Sequence, residues 1–324
     1  MTDSKPLVSI GMPVYNGERS IRQALDSVLE QTYQNLEVII SDNASTDHTE
    51  AICLEYAARD QRIQYHRNAI NLGVEANFRR VFELSSGDYF MWAAADDLRP
   101  ATAVEDCVEV LLRNSHAVMA HGAVLVKLEG QEDLVEASNE VHLSDLRAAE
   151  RIRAFTKGIR HNAMLFGLYR RCALAKGRLG NCYGEDYLLC LQMCLLGPVE
   201  YIKTPIIIYR ERRAVPSDNP MYTDQPLTIL DLLRSTRRKC WIVLLMGCYY
   251  LARTRGVDLT ERVYGIAAHV LTFSRLYRAR LAKEVVFLLF APAAWLSSLA
   301  WRLAHRWSVS MRLARKVHAT LTRV

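Results

Sequence analysis

The first 128 residues alternate between short apolar runs and longer segments in which apolar residues recur every three or four positions. The short runs predict strands, and the recurring pattern predicts amphipathic helices. Regular alternation of the two favours an α/β fold whose mostly parallel sheet is covered on both faces. Strands are predicted at 7–12, 36–41, 63–66, 89–93 and 117–128, and helices at about 18–31, 46–59, 74–85 and 100–114.

Polar residues follow each of the first four predicted strands. The carboxyl ends of parallel strands lie along one edge of a sheet, where ligands bind in open α/β folds, so these residues are expected to share a rim. An aromatic ring there could stack on a base, and a carboxylate could accept a hydrogen bond from a base or ribose. Ordinary turns and helix caps are the alternative for each loop taken alone. The residues are Pro13, Tyr15, Asn16, Asp42, Asn43, Asn71, Asp96 and Asp97.

The fourth predicted strand changes abruptly from apolar residues to two adjacent carboxylates, Asp96 and Asp97. Paired acids at the end of a buried strand are unfavourable unless a cation or hydrogen-bond donors satisfy them. Mg²⁺ and Mn²⁺ accept such oxygen ligands together with phosphate oxygens, so the pattern suggests a site for a divalent metal and a diphosphate. A solvated turn or the start of a helix is the alternative interpretation.

The composition limits the class of protein. A chain of 324 residues that is 50% hydrophobic is expected to form one or two domains. Its eight cysteines show no CxxC spacing, which favours reduced, packed thiols over a disulfide framework or a zinc site. The first residues lead directly into a strand without an apolar signal region, so secretion is not expected.

Charge divides the chain into two parts. Residues 226–324 carry 17 Lys and Arg against 4 Asp and Glu, whereas residues 1–225 carry 24 against 31. We therefore predict an acidic domain at 1–225 and a basic, helical region at 226–324 whose partner is an anionic surface. No nucleic-acid-binding motif accompanies the charge, so a membrane surface is favoured over nucleic acid.

Two apolar runs in the basic region bear on membrane binding. The run at 241–252 is too short to span a bilayer, and the run at 285–301 is at the lower limit and contains Pro292. Trp295, Trp301 and Trp307 suit a membrane interface. These helices are expected to lie on the inner face of the cell membrane, which makes the protein cytoplasmic and peripheral. Packing against the first domain, or against a second subunit in a homo-oligomer, is the alternative.

Several motifs between residues 7 and 210 resemble those of the inverting family 2 glycosyltransferases, particularly the bacterial enzymes of polysaccharide biosynthesis. The matching segments are 8–16, 37–47, 71–73, 87–89 and the acid pair Asp96-Asp97. The resemblance implies the GT-A nucleotide-sugar-binding fold. It also implies that Asp96 and Asp97 bind Mg²⁺ or Mn²⁺, and that a nucleoside-diphosphate sugar contacts Pro13, Tyr15, Asn16, Asp42, Asn43, Asn71, Asn77, Asp96 and Arg210.

The sequence departs from the family pattern at two places. Ala94 stands where the first acid of a DxD element is expected, and Asn77 lies where many relatives have an arginine in the helix after the third strand. The first departure predicts a modest metal affinity.

An acidic pair, Glu185 and Asp186, begins a further predicted helix. The resemblance assigns the catalytic base to Asp186, with Glu185 as the second candidate, and places His161 and Asn162 on the acceptor side. A carboxylate can take the proton of an attacking sugar hydroxyl, and a single displacement inverts the anomeric centre. The alternative is that the two acids only offset the dipole of the helix.

The resulting prediction is an enzyme that transfers a sugar from a nucleotide donor to a saccharide acceptor, expected to be lipid-linked, for a surface polysaccharide. A sugar-nucleotide pyrophosphorylase is one alternative, although no glycine-rich loop follows the first strand. A catalytically silent, membrane-associated scaffold that retained the fold is the other.

Overall fold

The computed structural model describes residues 5–128, 133–136, 141, 143–144, 146–158, 163–179, 185–211, 239–278 and 281. Its strands are β1 (Val8–Val14), β2 (Leu36–Asp42), β3 (Ile63–Arg67), β4 (Tyr89–Trp92), β5 (Met119–Leu128), β6 (Leu134–Glu136), β7 (Leu168–Arg170) and β8 (Val199–Glu211). Its α-helices are α1 (Ile21–Leu29), α2 (Thr49–Arg59), α3 (Val74–Leu84), α4 (Ala103–Arg113), α5 (Ala148–Gly158), α6 (Arg171–Leu174), α7 (Glu185–Leu196), α8 (Lys239–Arg253) and α9 (Leu259–Leu276), and a 3₁₀ helix spans Ala163–Phe166.

The strands form one sheet in the order β3-β2-β1-β4-β7-β5-β6, and β8 pairs with β5. Strand β1 is parallel to both β2 and β4, β2 is parallel to β3, and β5 is parallel to β8. The predicted α/β fold with a largely parallel sheet is therefore confirmed. The carboxyl ends of β1, β2, β3 and β4 open on one edge, as the sequence pattern predicts.

The sequence-based prediction does not include β7. This strand pairs antiparallel with both β4 and β5 and so joins the parallel half of the sheet to the rest. It has only three residues, which is too short for a recognisable alternation of apolar and polar positions.

Two core layers cover the sheet. One packs residues of α1, α2 and α4 against the sheet, and the other packs α3, α5 and α7. In the second layer the ring of Trp92 meets those of Phe90 and Tyr169 edge-on, at centroid distances of 4.7 and 5.5 Å. Every residue of β1 and β4 is buried. The end of β4 is thus a fixed platform for the acid loop that follows it.

The chain divides into a compact unit at Met1–Leu276 and a second unit at Tyr277–Val324. Helices α8 and α9 belong to the first unit, where Leu251 and Ala268 join the second core layer. The predicted boundary at 225/226 and the apolar run at 285–301 lie outside the described residues. Within the described part of the chain, no helix is both long and apolar enough to cross a membrane.

His269 of α9 is fully buried between α8 and α7. An added Cβ on Gly247 would lie 2.2 Å from its Nε2 atom. The rings of Tyr187 and Phe273 lie at centroid distances of 6.2 and 5.4 Å. Burial lowers the pKa of His269 to about 4, although nearby main-chain groups of α8 oppose the shift.

Acidification should therefore destabilise the fold through His269. The folded chain keeps the ring neutral down to about pH 4, whereas in the unfolded chain the ring binds a proton below about pH 6.5. This contribution is complete above pH 6.5 and is lost as the pH falls toward 4, by on the order of 3 kcal/mol in the free energy of unfolding. Chemical denaturation at about pH 7 and about pH 5 should show a larger loss for wild type than for His269→Leu. The exposed-site control His116→Gln should behave as wild type, and equal losses in wild type and His269→Leu would contradict the prediction.

Candidate active site

The loops after β1 and β2 are tied together by hydrogen bonds. The main-chain nitrogen of Asn16 donates to Oγ of Ser45 at 2.9 Å, and the nitrogen of Thr46 donates to Oδ1 of Asn16 at 2.8 Å. A third bond, of 2.8 Å, joins the nitrogen of Gly17 to Oγ1 of Thr49. The structure therefore brings two of the four predicted rim loops together. Asn16, in the first of these loops, has a φ of +50°, and the chain turns sharply there.

Two other predicted donor contacts lie at the end of β1. Pro13 is buried inside the strand, where it pairs with Ser41 of β2. Tyr15 is half-buried at the point where the chain leaves the sheet. Tyr15 thus keeps part of its surface accessible on the rim, and its stacking on a base stays a prediction.

Asp42, at the end of β2, is fully buried and already has protein partners. Its Oδ2 accepts hydrogen bonds from Tyr65 Oη and Arg67 Nη1, both at 2.8 Å, and its Oδ1 accepts one from the Ser45 nitrogen at 2.8 Å. A contact with a nucleotide would be additional to these three bonds. The sequence analysis missed Tyr65 and Arg67, although alternate positions at the end of β3 place both beside Asp42 in the sheet.

Buried amides join the loops that follow β2 and β3. Asn43 Nδ2 donates to Oδ1 of Asn71 at 2.7 Å, and Asn43 Oδ1 accepts from the Leu72 nitrogen at 2.8 Å. Asn77 of α3 donates to the main-chain oxygen of Ser41 at 2.9 Å and accepts from its hydroxyl at 2.6 Å. Asn43 and Asn77 are buried, so the structure gives both a bracing role, and their predicted contact with a donor stays untested.

The acid pair meets Arg210 across 113 residues of sequence. Asp96 is exposed, whereas Asp97 is half-buried and accepts a hydrogen bond from the Arg210 nitrogen at 3.3 Å. Arg210 Nε donates to the main-chain oxygen of Asp96 at 2.6 Å, and its guanidinium also contacts Gln23 and the main chain of Ser20. Burial first, and the charge of Asp96 second, raise the pKa of Asp97 to about 7. The predicted residues Asp96, Asp97 and Arg210 thus form one cluster.

Arg99 supports the loop of Asp96 and Asp97 from the protein interior, and it was not identified from the sequence. Its side chain is buried and donates to three main-chain oxygens, those of Trp92, Phe166 and Ile206, at 2.5, 3.0 and 2.8 Å. Burial lowers the pKa of Arg99 to about 10, so the guanidinium remains charged at neutral pH. The only sequence signal is an arginine two residues after an acid pair, and arginine in such a turn is normally solvated.

The residues around Asp96 fit a metal that is shared with a ligand. Among the described residues, no group of three or more His, Cys, Asp or Glu side chains is placed to hold an ion. Mg²⁺ and Mn²⁺ need only one or two protein carboxylates when a diphosphate supplies further oxygens. Two adjacent acids, one of them with a raised pKa, are the kind of pair that a divalent cation stabilises.

Asp186 lies in the first turn of α7, half-buried, and Glu185 is the first residue of that helix. Burial raises the pKa of Tyr209, and the carboxylates of Asp97 and Asp186 raise it further. Tyr209 precedes Arg210 on β8, and its ring lies 6.2 Å from that of Phe166. Tyr209, another residue missed from the sequence, is therefore next to Arg210 of the acid cluster. The predicted acceptor residues His161 and Asn162 lie outside the described part of the chain.

Solved structures with the same architecture identify the fold. Staphylococcus aureus TarS 1–349 superposes with a TM-score of 0.58 at 13% identity, over 82% of this chain and 71% of that chain. Its complex with UDP-GlcNAc gives the same TM-score at 15% identity, over 82% and 72%. A mannosyltransferase from Pyrobaculum calidifontis in complex with GDP-Man and Mn²⁺ gives 0.50 at 18% identity, over 90% and 81%. The fold is that of the GT-A glycosyltransferases.

The sequence assigns the family within that class. The model of glycosyl transferase family 2 matches residues 9–178, more than half of the chain, and the chain belongs to this family. An uncharacterized glycosyltransferase of Haemophilus influenzae is 32% identical over 192 residues, which cover 59% of this chain and 72% of the relative. A second, from Rickettsia bellii, is 38% identical over 130 residues, which cover 39% of this chain and only 18% of the relative. The predicted glycosyltransferase family is thus confirmed.

Proposed function

We propose that this glycosyltransferase is metal-dependent and inverting, and that it moves a sugar from a nucleoside diphosphate to a lipid-linked saccharide in the synthesis of a surface polysaccharide. The observation that carries the proposal is the hydrogen-bonded cluster of Asp96, Asp97 and Arg210 at the edge of the sheet. UDP-GlcNAc in the TarS complex, and GDP-Man with Mn²⁺ in the mannosyltransferase complex, support the donor class and the metal.

In this proposal, one side chain acts on the acceptor and the others act on the donor. Asp186 accepts the proton of the acceptor hydroxyl, because a neutral hydroxyl is a poor nucleophile at neutral pH. Arg210 places a fixed positive charge beside the acid loop, where the diphosphate of the donor binds. When bound, a divalent ion would be held by Asp96 and Asp97 and would neutralise charge on the leaving diphosphate.

Ala94 favours a second candidate, a chain that retained the fold and the donor site without turnover. The first acid of the DxD pattern is absent there, and a weaker metal site would reduce catalysis more than nucleotide binding. Measured turnover of any donor sugar in the presence of Mn²⁺ would exclude this candidate.

Donor binding should depend on Asp96. Thermal unfolding of the full chain with UDP-, GDP- and TDP-sugars, with and without Mn²⁺, should show one nucleotide that raises the stability by about 2–4 kcal/mol at saturation. The increase should need Mn²⁺ and should disappear in Asp96→Ala. Glu30→Ala, which removes an exposed acid after α1, should keep the full increase. If none of the nucleotides stabilises the wild-type chain, the proposed donor site is wrong.

A further inference from the structure

Helices α8 and α9 expose an unusual number of large apolar side chains. Seven of the fourteen exposed large apolar side chains in the described chain belong to these two helices. Leu259, Leu271 and Leu245 are 75, 67 and 61% exposed, and Tyr264 is 60% exposed. Single exposed apolar residues are normal, whereas a concentration of them marks an interaction surface.

These side chains lie on the outward face of each helix. On α9, Tyr264 and Leu271 are exposed at helical spacing, while Ala268 and Thr272 face the core. On α8, Leu245 is exposed in the same way. A helix packed on a soluble protein normally presents polar residues on its outer face, so the pattern indicates a partner that covers it.

Four cations surround the end of α8. The guanidinium groups of Arg178 and Arg253 lie 5.6 and 5.8 Å from the ring centroid of Tyr249. The Arg255 nitrogen donates to the main-chain oxygen of Lys176 at 3.3 Å, which brings the remaining two cations together. In the described part of the chain, none of these four side chains lies within 4.0 Å of a carboxylate. Among the described residues the cluster is therefore a positive patch without an ion pair, beside the apolar faces.

We infer that the outward faces of α8 and α9, with the cation cluster of Lys176, Arg178, Arg253 and Arg255, dock on an anionic lipid bilayer. Phosphate head groups would pair with the cations while the apolar side chains enter the boundary of the acyl chains. This inference concerns a partner of the protein and does not depend on the proposed reaction.

Charge complementarity selects the lipid surface over a second copy of the chain. Residues 239–278 contain six basic and two acidic side chains, so two copies of this face would repel each other. Lipid phosphates supply the missing negative charge, and hydrocarbon accepts Leu and Val side chains, which nucleic acid does not. None of the described helices is both long and apolar enough to cross a bilayer.

Flotation of the full-length chain with phosphatidylcholine vesicles, with and without phosphatidylglycerol, tests this inference. Binding should require phosphatidylglycerol and weaken at high salt. Replacing all four cluster cations with Gln should weaken binding roughly 1,000-fold. The matched control replaces four exposed cations elsewhere, Arg19, Arg80, Lys127 and Lys203, with Gln and should weaken it much less.

The apolar face has its own variant, Tyr264→Ser with Leu271→Ser. These positions are exposed, so the melting temperature should remain unchanged while vesicle binding falls at least tenfold. Three results would each overturn the inference: no binding of wild type to anionic vesicles, equal losses in both fourfold variants, or a wild-type dimer that the apolar variant dissociates. The last result would assign the face to a second copy of the chain.

Discussion

Replacement of Asp186 by Asn should lower the rate of sugar transfer by roughly 10²–10⁴-fold while leaving the affinity for the nucleotide donor nearly unchanged. The substitution keeps the shape of the side chain but removes its ability to accept a proton from the acceptor hydroxyl. Asp186 lies in the first turn of α7, and none of the predicted donor contacts belongs to that helix, so donor binding should not need it. Steady-state kinetics should therefore show a loss in kcat with little change in the donor KM.

Glu185→Gln is the matched control, because it removes the neighbouring acid of the same turn. The Glu185→Gln variant should retain most of the activity. The transferred sugar in the product should have the opposite anomeric configuration to the sugar in the donor. If Glu185→Gln shows the large loss and Asp186→Asn does not, the base is Glu185. If neither variant is impaired, the base lies elsewhere and the assignment from the helix start is wrong.

Much of the fold could be predicted from the sequence because its signals are local. Strands β1 and β4 are apolar except for Ser9, which is the pattern of strands covered on both faces, and polar residues follow each of them within a few positions. The change from apolar to polar residues after β4 also predicted that Asp96 and Asp97 lie on the rim. The match with family 2 then fixed the GT-A class more firmly than strand periodicity alone.

The residues that were missed act through contacts distant in sequence. Arg99 contacts Ile206 across 107 residues, and Arg67 reaches Asp42 from the neighbouring strand. A charged side chain in a loop or at the end of a strand is normally interpreted as solvated, so neither residue was identified from the sequence. Asn43 and Asn77 show the converse, because residues expected to face a ligand brace the loops from within. The short-range sequence pattern thus predicted the position of the rim, whereas the contacts that support it are formed by residues that are distant in the sequence.

Arg99→Met should destabilise the chain and also raise the concentration of Mn²⁺ needed for activity. Three buried main-chain oxygens would lose their donor, and the free energy of unfolding should fall by about 3–5 kcal/mol. Arg99 lies two residues from Asp97 and joins the end of β4 to β8, so its loss should also release the acid loop from Arg210. Chemical denaturation measures the first effect, and a Mn²⁺ titration of activity measures the second.

Arg170→Met separates these two effects. Arg170 also donates to three main-chain oxygens, those of Leu111, Asn114 and Ala117. However, it pairs with Tyr89, the first residue of β4, and the acids follow the other end of that strand. Its loss should reduce the stability comparably while leaving the Mn²⁺ requirement unchanged. A higher Mn²⁺ requirement in Arg99→Met alone would establish Arg99 as a positioning residue for Asp96 and Asp97. If both variants shift the requirement equally, the shift follows from general destabilisation, and Arg99 has no specific part in the site.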